Sequence, residues 1–163
     1  MQQFTATYKD GCFLFTNNYS EEIGTLNITN NSKVIFYNGN ENIQFNISKN
    51  MIEVFKNEKK IDNLEKTNSF KNLKSTISEV KIKGISSWKG GTQLIDNKDR
   101  TLATLNNQSA LFDNGVYKFE TFFTIEPYQL ALMLYLHLKG SKIKTTMVIA
   151  VTFVFATLYN IFK

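Results

Sequence analysis

The stretch "EPYQLALMLYLHL" (residues 126–138) is apolar at nearly every position from Leu130 to Leu138. A helix that is apolar all round must be buried all round. Pro127 suits a first helical turn, where its missing N–H would be unpaired anyway. Glu126 favours the positive end of the helix dipole. Gly140 stands where a C-terminal cap belongs. Together these signals predict a helix over about 126–139, with Leu130, Leu132, Met133, Leu134 and Leu136 facing a core. Its span of roughly 20 Å is too short to cross a bilayer comfortably. Such a helix needs a protein enclosure.

The preceding chain supplies the walls. In "YKDGCFLF", "FYNGNENIQF" and "LFDNGVYKF", Asp-Gly or Asn-Gly stands between apolar runs. These pairs tolerate the positive φ that a two-residue hairpin turn requires. The flanks alternate: Ile43, Phe45 and Ile47 on one face, Gln44 and Asn46 on the other. Tyr117, Phe119, Thr121, Phe123 and Ile125 likewise share a face. Period two means one buried face and one wet face, hence a largely antiparallel sheet. Strands are predicted near 4–8, 12–16, 23–29, 33–37, 42–47, 51–56, 76–83, 91–96, 101–106, 109–112 and 116–125. The polar, Lys-rich stretch 57–76 reads as a long surface loop or a loop with one short helix. The fold class is mainly β: a closed antiparallel barrel of about 10–12 strands around the hydrophobic C-terminal helix, with a second hydrophobic helix after it. Residues 1–140 form the barrel domain, and 145–163 form a hydrophobic segment.

The helix "EPYQLALMLYLHL" and the hairpin "GGTQLIDNKDRTLATL" (90–105) together resemble the tubby-like barrel superfamily. That superfamily includes the tubby C-terminal domain, the LURP-one-related proteins and the phospholipid scramblases. The resemblance covers about 4–139 and implies a twelve-stranded barrel enclosing one apolar helix. It further implies membrane association and lipid or phosphoinositide binding. The phosphoinositide-contacting residues of tubby do not map onto single positions here, and this chain continues past the helix.

The continuation, "TTMVIAVTFVFATLYNIFK" (145–163), runs from Thr145 to Phe162 without a formal charge. As a helix it would span about 27 Å, close to the hydrocarbon thickness of a bilayer. Lys139, Lys142 and Lys144 precede it, and Tyr159 and Phe162 lie toward its far end, as interfacial residues do. The expectation is a membrane anchor with the barrel in the cytoplasm. The alternative is a second core helix, or a strand built on its β-branched residues.

The net charge is +5, and ten basic against five acidic residues fall between Lys49 and Lys89. Lys56, Lys59, Lys60, Lys66, Lys71, Lys74, Lys81 and Lys83, with Lys139, Lys142 and Lys144, are the candidates for anionic lipid headgroups. The competing reading is a solvated loop, since Glu58, Asp62 and Glu65 interrupt the run. A nucleic-acid partner is not expected, because there is one Arg and the aromatics fall where a core takes them.

No catalytic residue, metal site or cofactor is expected. The one histidine, His137, lies on the apolar helix and reads as a core residue. "DNKD" (96–99) lacks the spacing of a calcium loop and reads as a turn. Cys12, the one cysteine, cannot form an internal disulfide, and its place beside Phe13 reads as a buried, inert thiol. The chain is therefore expected to be a non-enzymatic, membrane-associated barrel that tethers to membranes or binds anionic lipid. The alternative is a soluble barrel or sandwich binding a hydrophobic ligand or a protein partner.

Overall fold

The computed structural model describes residues 1–29, 32–39, 41–67, 72–84, 91–107 and 115–141. Twelve strands occur among them. The first six are β1 (Gln2–Lys9), β2 (Cys12–Asn17), β3 (Glu22–Ile28), β4 (Lys33–Asn38), β5 (Glu41–Ile47) and β6 (Met51–Lys56). The rest are β7 (Lys59–Lys66), β8 (Asn72–Ser75), β9 (Lys81–Lys83), β10 (Thr92–Ile95), β11 (Thr101–Asn107) and β12 (Val116–Thr121). Each strand pairs antiparallel with the next, and β12 returns to β1 with Gln2 opposite Thr121. The result is a closed up-and-down barrel with no sheet edge to protect. Among the described residues a single helix, α1, begins at residue 127 and is described to 141.

The expected alternation determines the wall. Phe13 and Phe15, Val34 and Phe36, Ile43 and Phe45, and Ile52 and Val54 all point inward and are buried. Their neighbours along each strand face outward. Phe15 packs against Phe36 and Phe119 with ring centroids 5.4 and 5.7 Å apart. The helix fills the axis. Every residue from Tyr128 to His137 is buried, and Leu130, Leu132, Met133, Leu134 and Leu136 join one cluster with the strand residues. Each such side chain stabilises the fold by about 1.5–3 kcal/mol relative to exposure.

Four expectations change. Residues 57–76 hold β7 and the whole of β8, not a long loop. Asn57 and Glu58, both at positive φ (47° and 68°), make a tight turn, and the inward positions of β7 are Asp62 and Leu64. A carboxylate at an inward position hid the period. The last strand stops at Thr121 rather than 125, so Phe123 is exposed instead of sharing the buried face. The 76–83 strand is confined to Lys81–Lys83. Gly140 lies within the helix, not at its cap. The strand expected at 109–112 and the second hydrophobic helix at 145–163 lie outside the described residues. Among the described residues, no helix is long and apolar enough to cross a membrane.

The helix start has a second anchor besides Pro127. Gln129 Oε1 accepts a hydrogen bond from the Glu126 N–H at 3.0 Å. This is the back-reaching half of a capping box, and it satisfies a donor that the helix itself leaves unpaired.

Candidate functional site

The antiparallel order gives the barrel two ends. Turns after even-numbered strands, and the link from β12 to α1, form the proximal end. Turns after odd-numbered strands form the distal end, toward which α1 runs. The helix leaves the barrel there: residues 128–137 are buried, whereas 138–141 are half-buried.

This geometry divides the candidate lysines. Lys56, Lys59 and Lys60 sit at the proximal turn between β6 and β7. Lys56 pairs with Glu41 and Lys60 with Glu53, each at 2.6 Å. Lys66 is six residues along β7 from Lys60, a separation of about 20 Å, and so lies at the distal end. Lys81 and Lys83 both face Asp99, at 3.8 and 3.9 Å. Lys74 is exposed on β8. Lys71, Lys142 and Lys144 lie outside the described residues. The structure therefore brings Lys66 and Lys139 together and separates them from Lys56, Lys59 and Lys60.

Lys66 donates to the Ser48 carbonyl. Its ammonium is pushed below the usual lysine range by burial and then by the positive charge of Lys139. The Lys139 Nζ lies 5.6 Å from the centroid of the Tyr135 ring. Lys9, Lys33 and Lys49 lie in or beside the turns of this same end. Sequence reasoning passed over these three, because nothing local says which turns will share an end. Among the described residues the distal end thus holds Lys9, Lys33, Lys49, Lys66 and Lys139 against Asp10 and Glu65. The proximal end is mixed: Glu21, Glu22, Glu41, Glu58, Glu79 and Glu126 stand there with Lys56, Lys59, Lys60, Lys98 and Arg100.

Two polar anchors hold the helix inside. Near its start, the Tyr128 hydroxyl donates to Asp62 Oδ2 at 3.2 Å. The same carboxylate accepts from Ser75 Oγ at 2.6 Å and Ser78 Oγ at 2.8 Å. Asp62 is 1% exposed, so its charge is stabilised by hydroxyl dipoles rather than water. Near the distal end, His137 Nδ1 lies 3.2 Å from Thr92 Oγ1, and its ring meets Tyr117 edge-on at 5.6 Å. His137 is a core residue, as its position on the helix implies.

The Tyr128 phenol is pushed far above its usual value by burial and then by the adjacent Asp62 charge. Burial also raises the Tyr135 phenol. Tyrosines whose folded pKa exceeds the unfolded value near 10 support the fold below pH 10 and lose that support as pH rises further. Stability is therefore expected to fall above about pH 10. Tyr128→Phe should lower stability near neutrality by about 1–2 kcal/mol and flatten that alkaline decline. Urea unfolding at pH 7, 9 and 11 measures both effects.

Cys12 differs from expectation. It is half-buried on the outward face of β2, with Sγ 3.3 Å from the Lys9 carbonyl, because Phe13 and Phe15 take the inward positions. The "DNKD" segment is a turn: Asp96 Oδ1 accepts from the N–H groups of Lys98 and Arg100 at 2.9 and 2.8 Å. Among the described residues no cluster of His, Cys, Asp and Glu has the grouping of a metal site.

No protein-family model matches the chain, and no curated protein matches it. Its fold is similar to an X-ray structure of a protein from Arabidopsis thaliana, AT5G01750. The TM-score is 0.59 at 11% sequence identity, over 86% of this chain and 91% of that one. Among the described residues the class is therefore a closed antiparallel barrel of twelve strands around one helix, similar in fold to that structure. At this identity the likeness is one of fold, and no residue role passes with it.

Proposed function

We propose that this protein is a non-enzymatic, membrane-associated barrel whose basic distal end faces anionic lipid. In this reading the uncharged segment 145–162 is the tether, and the barrel lies on the cytoplasmic side. The observation that supports it most is the place where α1 leaves the barrel. Residues 138–141 emerge at the end that holds Lys66, Lys139, Lys9, Lys33 and Lys49. Basic residues held against an anionic surface contribute about 1 kcal/mol each. A hydrophobic ligand inside the barrel is disfavoured, because Leu130, Met133 and Leu134 already occupy the axis.

Fractionation tests the tether. The full chain should sediment with membranes and resist extraction by high salt, and deletion of 142–163 should release it. A full chain that stays soluble at low salt overturns the tether. Flotation with anionic against zwitterionic vesicles tests the basic end. Lys66→Glu with Lys139→Glu should reduce the preference of the full chain for anionic vesicles. The preference should also weaken with salt, since such contacts are screened within about 10 Å at 0.1 M.

A further inference from the structure

The proximal end carries a feature that lipid contact at the opposite end leaves unused. Tyr19, Tyr37, Ile77, Phe122 and Phe123 are large apolar side chains exposed to solvent, and all lie in or beside proximal loops. Tyr19 is the most open of these five, at 78% exposure. Three of them share one sector. Phe122 and Phe123 follow Thr121, which pairs with Gln2 on β1. On the other side of β1, Phe4 pairs with Asn17, two residues before Tyr19. The Tyr19 turn and the Phe122–Phe123 link therefore flank a single strand.

This sector is also acidic. Glu21 and Glu22 follow Tyr19, and Glu126 follows the phenylalanines; all three are exposed. Asn17 Nδ2 donates to Glu21 Oε2 at 2.7 Å and ties that carboxylate to the turn that carries Tyr19. The rim shows how such a surface receives a cation. Arg100 Cζ lies 5.5 Å from the centroid of the Phe123 ring, while its Nε donates to Asp96 Oδ2 at 2.7 Å. A carboxylate and an aromatic ring thus hold one guanidinium together. Tyr19, Glu21 and Glu22 are exposed on one turn and bring the same kinds of group, an aromatic ring and carboxylates, to the surface.

We propose that this rim docks a cationic peptide segment of a partner protein, with Arg or Lys side chains set among apolar ones. Exposed aromatics are enriched at protein interfaces, and complementary charge selects the partner. An anionic membrane does not fit, since the surrounding carboxylates repel it. The inference rests on the proximal end alone and stands apart from the tether.

The test uses the full chain in a zwitterionic detergent. The probe is a fluorescein-labelled heptapeptide of alternating Arg and Leu, with the Glu-Leu counterpart as control and empty micelles as blank. Anisotropy should show saturable binding of the Arg peptide and none of the Glu peptide. Tyr19→Ser combined with Glu21→Gln and Glu22→Gln should weaken binding by about tenfold, the equivalent of 1.4 kcal/mol. Phe122→Ser should also weaken it, and the distal pair Lys66→Glu and Lys139→Glu should leave it unchanged. Equal binding by the triple variant, or no saturable binding, overturns the proposal. A dimer in sedimentation that Tyr19→Ser converts to monomer also overturns it, by making the rim an interface between two copies.

Discussion

Replacing Asp62 with alanine is expected to destabilise the barrel by about 3–5 kcal/mol, the cost of breaking a buried charged network by removing one member. The carboxylate is the common acceptor for Ser75, Ser78 and Tyr128, which come from β8, the loop after it and the axial helix. It also accepts from the Asn63 N–H at 2.7 Å. Alanine would remove these acceptors at once. It would leave the Tyr128 hydroxyl facing a cavity in a buried site, where an unmet donor costs about 1–3 kcal/mol. Asp62→Asn keeps the shape and one acceptor oxygen, so its loss should be smaller. Urea denaturation of the three proteins measures the order. Equal stability of Asp62→Ala and the parent chain would show that the network contributes nothing net.

Gly24→Ala is expected to cost about 3–5 kcal/mol, from backbone strain together with overpacking. Gly24 has φ of 156°, which L side chains rarely adopt. A Cβ built there would lie 2.4 Å from the Tyr37 carbonyl oxygen and 2.6 Å from Cζ of the Phe36 ring. The first neighbour is backbone of the paired strand and cannot step aside. The second is a fully buried ring packed on Phe15. Relief would have to separate β3 from β4 or expel Phe36 from the core. A thermal midpoint within a degree or two of the parent would refute this account, since about 1 kcal/mol moves a domain of this size by several degrees.

Much of the wall was legible because its signals are local. Asp10 and Gly11 both adopt positive φ between β1 and β2, as the Asp-Gly pair implies. The inward alternation of Ile43 with Phe45, and of Tyr117 with Phe119, appears as read. The signal failed at β7, where the inward side chain at 62 is a carboxylate. Its acceptability depends on Ser75, Ser78 and Tyr128, up to 66 residues away in the chain. The Asn57-Glu58 turn was equally hard to read, since Glu is a poor residue for positive φ and adopts it here under constraint from the paired strands. The capping role of Gln129 was readable, because it stands three residues after Glu126, the spacing that a capping box uses.

The sequence alone determined that a short helix, apolar on every side, must lie inside a wall of alternating strands. That conclusion needs only local periodicity and the cost of leaving apolar surface in water. The tertiary structure decided what shares an end with what. Lys60 and Lys66 are near neighbours in sequence, yet an extended strand carries them to opposite ends. Lys66 and Lys139 are far apart in sequence, yet the axial helix brings them to one mouth. Tyr19 and Phe122 reach one rim through their pairing across β1. Hairpin register follows local turns and alternation, but which strands meet to close the wall is set by the pairing of β12 with β1 from opposite ends of the strand order, and no local pattern records that.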